Sequence, residues 1–179
     1  MRYESIADIY SANEKFRGEF INTVTAISPD EATALPDGEK WSIQQIVEHI
    51  SIVNAGIAGL CARMLEKAKA DGKTSDGSFA LSESFGAQAA GIAQNKLEAP
   101  DRVHPTGEVS IAESLERFAA NVATLDAIKD ELAQFDLSEH TFPHPYFGPL
   151  NSGEWLVVLG LHQNRHRQQI ENLLAKIRQ

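Results

Sequence analysis

The chain has 179 residues, 42% hydrophobic and 23% charged, ordinary values for a globular protein that exclude a disordered or fibrous chain. Lysine and arginine total 16 against 25 acidic residues, and the resulting net charge of −9 repels phosphate backbones, so no nucleic-acid partner is expected. The single cysteine, Cys61, excludes an internal disulfide and any cysteine-rich zinc or iron–sulfur site.

At about 150 residues per domain, the length predicts one domain over residues 1–179. No run of 18 uninterrupted apolar residues occurs, so no membrane association is expected. The first residues carry acids at Glu4 and Asp8 and no apolar run, which is unlike a signal peptide and predicts a cytoplasmic protein.

Four stretches show apolar residues at three- and four-residue steps. The first carries Ile6, Ile9, Phe16, Phe20, Val24 and Ile27. Ser5 caps it, and Ser28-Pro29 stops it. The second carries Ile43, Ile46, Ile50, Val53, Ile57, Leu60 and Met64 between a Ser42/Gln45 capping box and Asp71-Gly72. A connection from about 71 to 109 follows, too long for a simple turn and with a short helix predicted around Glu83 to Lys96. The third stretch carries Ile111, Leu115, Phe118, Val122, Leu125 and Leu132 behind a Ser110/Glu113 capping box. Phe142 to Pro149 holds too much proline for helix and reads as a structured loop; no strand is predicted. The fourth stretch carries Trp155, Leu159, Ile170, Leu173 and Ile177, opening at Asn151 and Glu154. Together these predict an all-α, up-and-down four-helix bundle with a long connection between helices 2 and 3.

Histidines interrupt two of these stripes in phase. In the fourth stretch the order Trp155, Leu159, His162, His166, Ile170, Leu173, Ile177 keeps steps of 4, 3, 4, 4, 3 and 4 residues. In the second stretch Ile46, His49, Val53, Ile57 keeps steps of 3, 4 and 4. All three imidazoles are therefore predicted to face inward, where an unsatisfied polar group costs about 1–3 kcal/mol. The stripes offer few polar partners. A shared ion would satisfy the three rings together, because side chains at i and i+4 lie about 6 Å apart on one helix face. His104, His140 and His144 fall in connections and read as exposed or capping residues, although His144, fixed between Pro143 and Pro145, could line the site.

Trp41-Ser42-Ile43-Gln44-Gln45-Ile46-Val47-Glu48-His49 resembles the W-S-I-x-E/Q-x-x-x-H signature that opens the second helix of DinB/YfiT-like proteins. His144-Pro145, Phe147-Gly148-Pro149-Leu150, Glu154-Trp155, His162 to His166 and Gln169-Ile170 resemble the same family's last-helix pattern. The resemblance covers most of the chain but not the middle connection. It implies a bundle whose ligands His49, His162 and His166 hold a divalent ion, most often nickel or zinc with iron as the alternative, in a metal-dependent thiol S-transferase or hydrolase. The same fold could instead serve as a catalytically inactive metal-binding or dimeric module. Family members include bacillithiol-using S-transferases and a mycothiol-dependent isomerase. Related domains of sulfoxide synthases use iron with H-x-x-x-H-x-E, and Gln168 stands here in place of that glutamate.

Three imidazoles leave coordination positions open, as catalytic rather than structural zinc sites do. An open ion could generate hydroxide or bind a thiol as thiolate, so the expected partner is a small-molecule substrate, such as a low-molecular-weight thiol. A homodimer is expected if an apolar helix face is left uncovered. No general base stands out. Glu48 lies about 100° around the helix from the stripe, Arg165 and Arg167 read as solvated charges, Cys61 reads as core, and Trp41 and Trp155 read as packing near helix ends.

Overall fold

Short polar side chains start the helices where the sequence places them. The computed structural model describes residues 3–92 and 98–179. Helix α1 (Ile6–Thr25) begins at Ser5, whose hydroxyl accepts from the Asp8 amide at 3.1 Å while the Ser5 amide donates to Asp8 Oδ2 at 2.9 Å. These bonds satisfy donors that a helix start otherwise leaves open. The Ser42/Gln45 box opens α3 (Ile43–Asp71), which ends at Gly72 with φ +70, a left-handed conformation that favours glycine. Asn151 and Glu154 open α7 (Ser152–Ile177) in the same way. Ser110 caps α5 (Ile111–Ala127), but Glu113 turns its carboxylate to Arg117 instead of closing the box.

The chain is an up-and-down four-helix bundle of α1, α3, α5 and α7, with smaller elements between them. Pro29–Thr33 adds a one-turn helix, α2, which the first stripe ending at Ser28-Pro29 did not predict. The helix expected around Glu83 to Lys96 is present as α4 (Glu83–Ile92); the end of that expectation lies outside the described residues. The third stripe is two helices. Ile128, with φ −105 and ψ 0, breaks it before α6 (Lys129–Gln134), yet Leu132 still reaches the core. The proline-rich loop contains a short antiparallel hairpin, β1 (Phe142–His144) and β2 (Gly148–Leu150), pairing His144 with Gly148 and Phe142 with Leu150. The prolines stand opposite each other in a two-stranded ribbon, where a missing ladder donor is tolerated.

α1 packs on α7, α7 on α3, and α3 on α5. The core divides into two hydrophobic clusters. One gathers Ile9, Ile57, Leu65, Leu132 and Leu156; the other gathers Phe20, Ile43, Ile50, Phe118 and Ile170. Between them in sequence order lie Asn13 on α1, Asn54 on α3 and His162, Gln163 and His166 on α7, and His49 on α3 joins them through its Nε2, 3.1 Å from that of His162, to make a polar belt across the middle of the bundle. Helix α3 is long and apolar enough to cross a bilayer, and most of its apolar window is buried inside the bundle.

The belt is tightest where α1 crosses α7. A Cβ added at Gly160 would lie 2.0 Å from Asn13 Oδ1 and 3.1 Å from the Phe16 ring. Asn13 cannot swing away freely, because its Nδ2 donates to the Leu156 carbonyl at 3.0 Å. Gly160→Ala is therefore expected to destabilise the chain by about 1–3 kcal/mol through overpacking. Urea unfolding checks this, and an unchanged midpoint would show that the crossing is looser than described.

Candidate metal centre

His49 on α3 and His162 and His166 on α7 turn their Nε2 atoms to a common point. The Nε2 atoms of His49 and His162 lie 3.1 Å apart, as do those of His162 and His166. One nitrogen from each ring falls within 4.8 Å of the other two, so the set could hold one metal ion. With metal–nitrogen bonds of about 2.1 Å, nitrogens 90–109° apart would sit roughly 3.0–3.4 Å from each other. The two 3.1 Å separations from His162 fit that range.

The outer nitrogens explain why Nε2 faces inward. His49 Nδ1 donates to the Val103 carbonyl at 2.8 Å, and His166 Nδ1 donates to Gln169 Oε1 at 2.8 Å. Those bonds leave the Nε2 of both rings as bare lone pairs. His162 has one ring proton in its neutral form. Given to one neighbour, it leaves the other lone pair unanswered; kept on Nδ1, it leaves both. His162 Nδ1 itself is buried without a partner. Three converging lone pairs with the protons on the far sides are the donor set a divalent cation takes, and the residues fit such an ion.

The order behind His49 comes from the connection that follows α4. Glu48, 1% exposed, accepts from the amide and hydroxyl of Thr106 at 2.9 and 2.8 Å and from the Gly107 amide at 2.8 Å. Gln44 Nε2 adds a bond to the Gly107 carbonyl. Gly107 has φ +80, and a Cβ there would come 3.2 Å from Gln45 Nε2. A glycine thus lets the turn lie on α3, and Glu48 holds it there. That anchoring brings the short 3₁₀ turn Asp101–Val103, with the Val103 carbonyl, over His49. The Trp41 ring covers the other side, 4.9 Å from the His49 ring centre and 5.7 Å from that of His104.

The sequence places the three histidines inward, and His49 is fully buried. His162 and His166 are partly buried. The fully buried residue on that turn is Gln163, which the stripe did not mark. Glu48 faces away from the rings as expected, yet it is a buried anchor. Its partners lie 58 and 59 residues away, so no local pattern reveals them. Gln169 is different, since a residue three after His166 shares its helix face and is a visible candidate.

His144 is half-buried between Trp155 and Phe147, with ring centres 5.1 and 4.9 Å away, and its Nδ1 accepts from the Tyr146 and Phe147 amides. His104 bonds the Ala99 carbonyl, and His140 pairs with Asp71 at 2.7 Å. Arg165 is exposed, and Arg167 pairs with Glu171 at 2.6 Å. Cys61 is buried core, and burial pushes its thiol up to about 12. Trp155 closes the first cluster and donates to the Phe142 carbonyl.

Burial holds His49 below the usual imidazole range, His162 well below it, and His166 and His144 down at about 4. The rings are neutral at pH 7, as ligands must be. The same shifts set an acid sensitivity. Unfolded imidazoles gain protons near pH 6.5 while the folded rings stay neutral, so stability falls as pH drops from about 6.5 toward 4. The metal-free chain is expected to melt roughly 5–15 °C lower at pH 5 than at pH 7, which corresponds to about 2–4 kcal/mol. Equal melting temperatures in calorimetry at the two pH values would contradict the burial of these rings.

The comparisons with known proteins agree with this fold and this chain-wide pattern. The DinB superfamily matches residues 12–170. The uncharacterized protein YuaE of Bacillus subtilis (strain 168) is 25% identical over 167 residues, covering 90% of this chain and 94% of its own. The crystal structure of TT2238, a four-helix bundle protein, superposes with a TM-score of 0.62 at 20% identity, covering 94% of this chain and 99% of that one. With a bundle carrying its histidines on α3 and α7 and a family match over most of its length, the chain belongs to the DinB superfamily.

Proposed function

We propose that His49, His162 and His166 hold one divalent ion, nickel or zinc, and that the chain is a metal-dependent transferase acting on a low-molecular-weight thiol. The observation that carries the reading is the convergence of three Nε2 lone pairs whose opposite nitrogens are turned to a carbonyl, a carboxamide and the protein interior. With three protein ligands the bound ion would keep positions open and supply Lewis acidity, favouring a thiol as its thiolate.

The chain's own residues set how such a site would work. Val103 and Gln169 fix the tautomers of His49 and His166, and Trp41 shields the His49 ring from water. Transfer would form a carbon–sulfur bond to an electrophilic carbon, break the bond to its leaving group, and release the thiol proton to solvent. Hydrolysis also needs a proton for the leaving group. Among the described residues no carboxylate bonds to the three rings, and Glu48 is committed to Thr106 and Gly107, which favours the thiol reading.

The test pairs cysteine, glutathione, bacillithiol and mycothiol with a chromogenic aryl halide, using chelator-treated and metal-restored protein. Turnover of one thiol that chelator removes, nickel or zinc restores, and His166→Ala abolishes is expected. Turnover indifferent to chelator or to His166→Ala would overturn the reading, and metal-dependent cleavage of nitrophenyl esters without thiol would replace it with hydrolysis.

A further inference from the structure

The polar belt has a second flank. Along the seam between α1 and α5, opposite the packed α3–α7 pair, lies a cleft of about 340 Å³. Asn13, Asn54 and Gln163 line it, with 9%, 1% and 1% of their surfaces exposed. Asn13 Oδ1, Asn54 Oδ1 and Gln163 Oε1 have no hydrogen-bond partner among the described residues. None of the three histidines lines the cleft. Asn54 follows His49 by five residues and so projects about 140° around α3 from it.

Charges stand along the walls in balance. Glu14 and Arg17 come from α1, and Asp126 and Lys129 come from the α5–α6 junction. Lys129 Nζ sits 5.3 Å over the Tyr10 ring, so one cation is already held at the wall, while Glu14, Arg17 and Asp126 make no ion pair among the described residues.

We propose that this cleft is a second binding site, distinct from the histidine centre, for a small net-neutral zwitterion of the α-amino-acid type. Carboxamides offer both donor and acceptor, and a half-turn of the group exchanges them, so Asn54 and Gln163 can meet an ammonium or a carboxylate, while Asn13, its Nδ2 held by the Leu156 carbonyl, keeps only its Oδ1 as an acceptor. Arg17 and Lys129 complement the carboxylate, and Glu14 and Asp126 complement the ammonium. The volume falls within the range of small-molecule sites, and buried polar groups in a concave wall are how such sites fix orientation. An apolar ligand would leave the three amides unanswered, and a singly charged one would face a wall of the wrong sign on one side.

Calorimetric titration of the metal-loaded protein with the common L-amino acids, in parallel with Asn54→Leu and Arg17→Ala, tests the proposal. At least one amino acid is expected to bind at millimolar concentration or below, about tenfold or more weaker to each variant, with its N-acetyl derivative failing to bind. Metal content is expected to be unchanged in both variants. Arg17 is only partly buried, so its variant keeps the test meaningful should Asn54→Leu misfold. No binding by any amino acid, binding undiminished in Arg17→Ala, or a crystal grown with amino acid showing only water or a second copy in the cleft would overturn it.

Discussion

Replacing Glu48 by alanine is expected to destabilise the chain by about 3–5 kcal/mol and to weaken divalent-metal binding by about tenfold or more. The carboxylate is buried and accepts three hydrogen bonds, two on Oε1 and one on Oε2. Bonds to a charged acceptor are worth about 1.5–3 kcal/mol each, and removing it strands two backbone donors at once. The metal effect travels through the chain. Freed from α3, the turn at Thr106 and Gly107 no longer fixes Val103, whose carbonyl selects the tautomer of His49. Urea unfolding and chelator competition measure the two effects. Glu48→Gln keeps the shape and one acceptor, so about half the destabilisation is expected, and it provides a folded variant if the alanine does not fold. A loss below about 1 kcal/mol in Glu48→Ala would mean that water can replace the carboxylate.

Loss of any one of the three imidazoles is expected to weaken the ion about a hundredfold or more, since four-ligand zinc sites bind with about 10–16 kcal/mol and one ligand carries a quarter of that. Stability moves the other way. Burial presses His162 well below the ordinary imidazole range, so the metal-free chain carries an acid-linked cost at that ring. His162→Leu places an apolar group between Leu159 and Ile170 on the same stripe and removes the buried Nδ1 that has no partner. The metal-free His162→Leu chain is therefore expected to melt at or above the wild type at pH 5, while binding metal far more weakly. A histidine kept for packing would give the reverse pattern, lower stability with unchanged metal affinity. Thermal scans with and without chelator distinguish the two.

The bundle was legible because each long helix carries both an apolar period and a polar start. Ser42 closes the box the sequence predicts, Ser5 and Asn151 close boxes at the starts it marks, and Ser110 caps without its predicted box because Arg117 competes for Glu113. The triad was legible for the same reason, as His49, His162 and His166 occupy positions where the period calls for leucine. What escaped was set by distance or by detail of the backbone. The break at Ile128 has no glycine or proline to mark it. The hairpin at 142–150 hides behind prolines that normally argue against strands. Glu48 and the Thr106–Gly107 turn meet only after the connection folds back on α3. Asn54 and Gln163 stand on different helices, and only the order of the four helices shows that they line an interior cleft.

The account rests on one ion shared by three rings. Elemental analysis of protein purified without added metal or chelator, followed by anomalous diffraction at the absorption edge of the metal found, tests it most directly. The expected result is close to one nickel or zinc per chain, with a single anomalous peak about 2.1 Å from the Nε2 atoms of His49, His162 and His166, and no peak in a His166→Ala crystal. A metal-free chain that takes up neither ion on titration, or a peak that persists in His166→Ala, would contradict it.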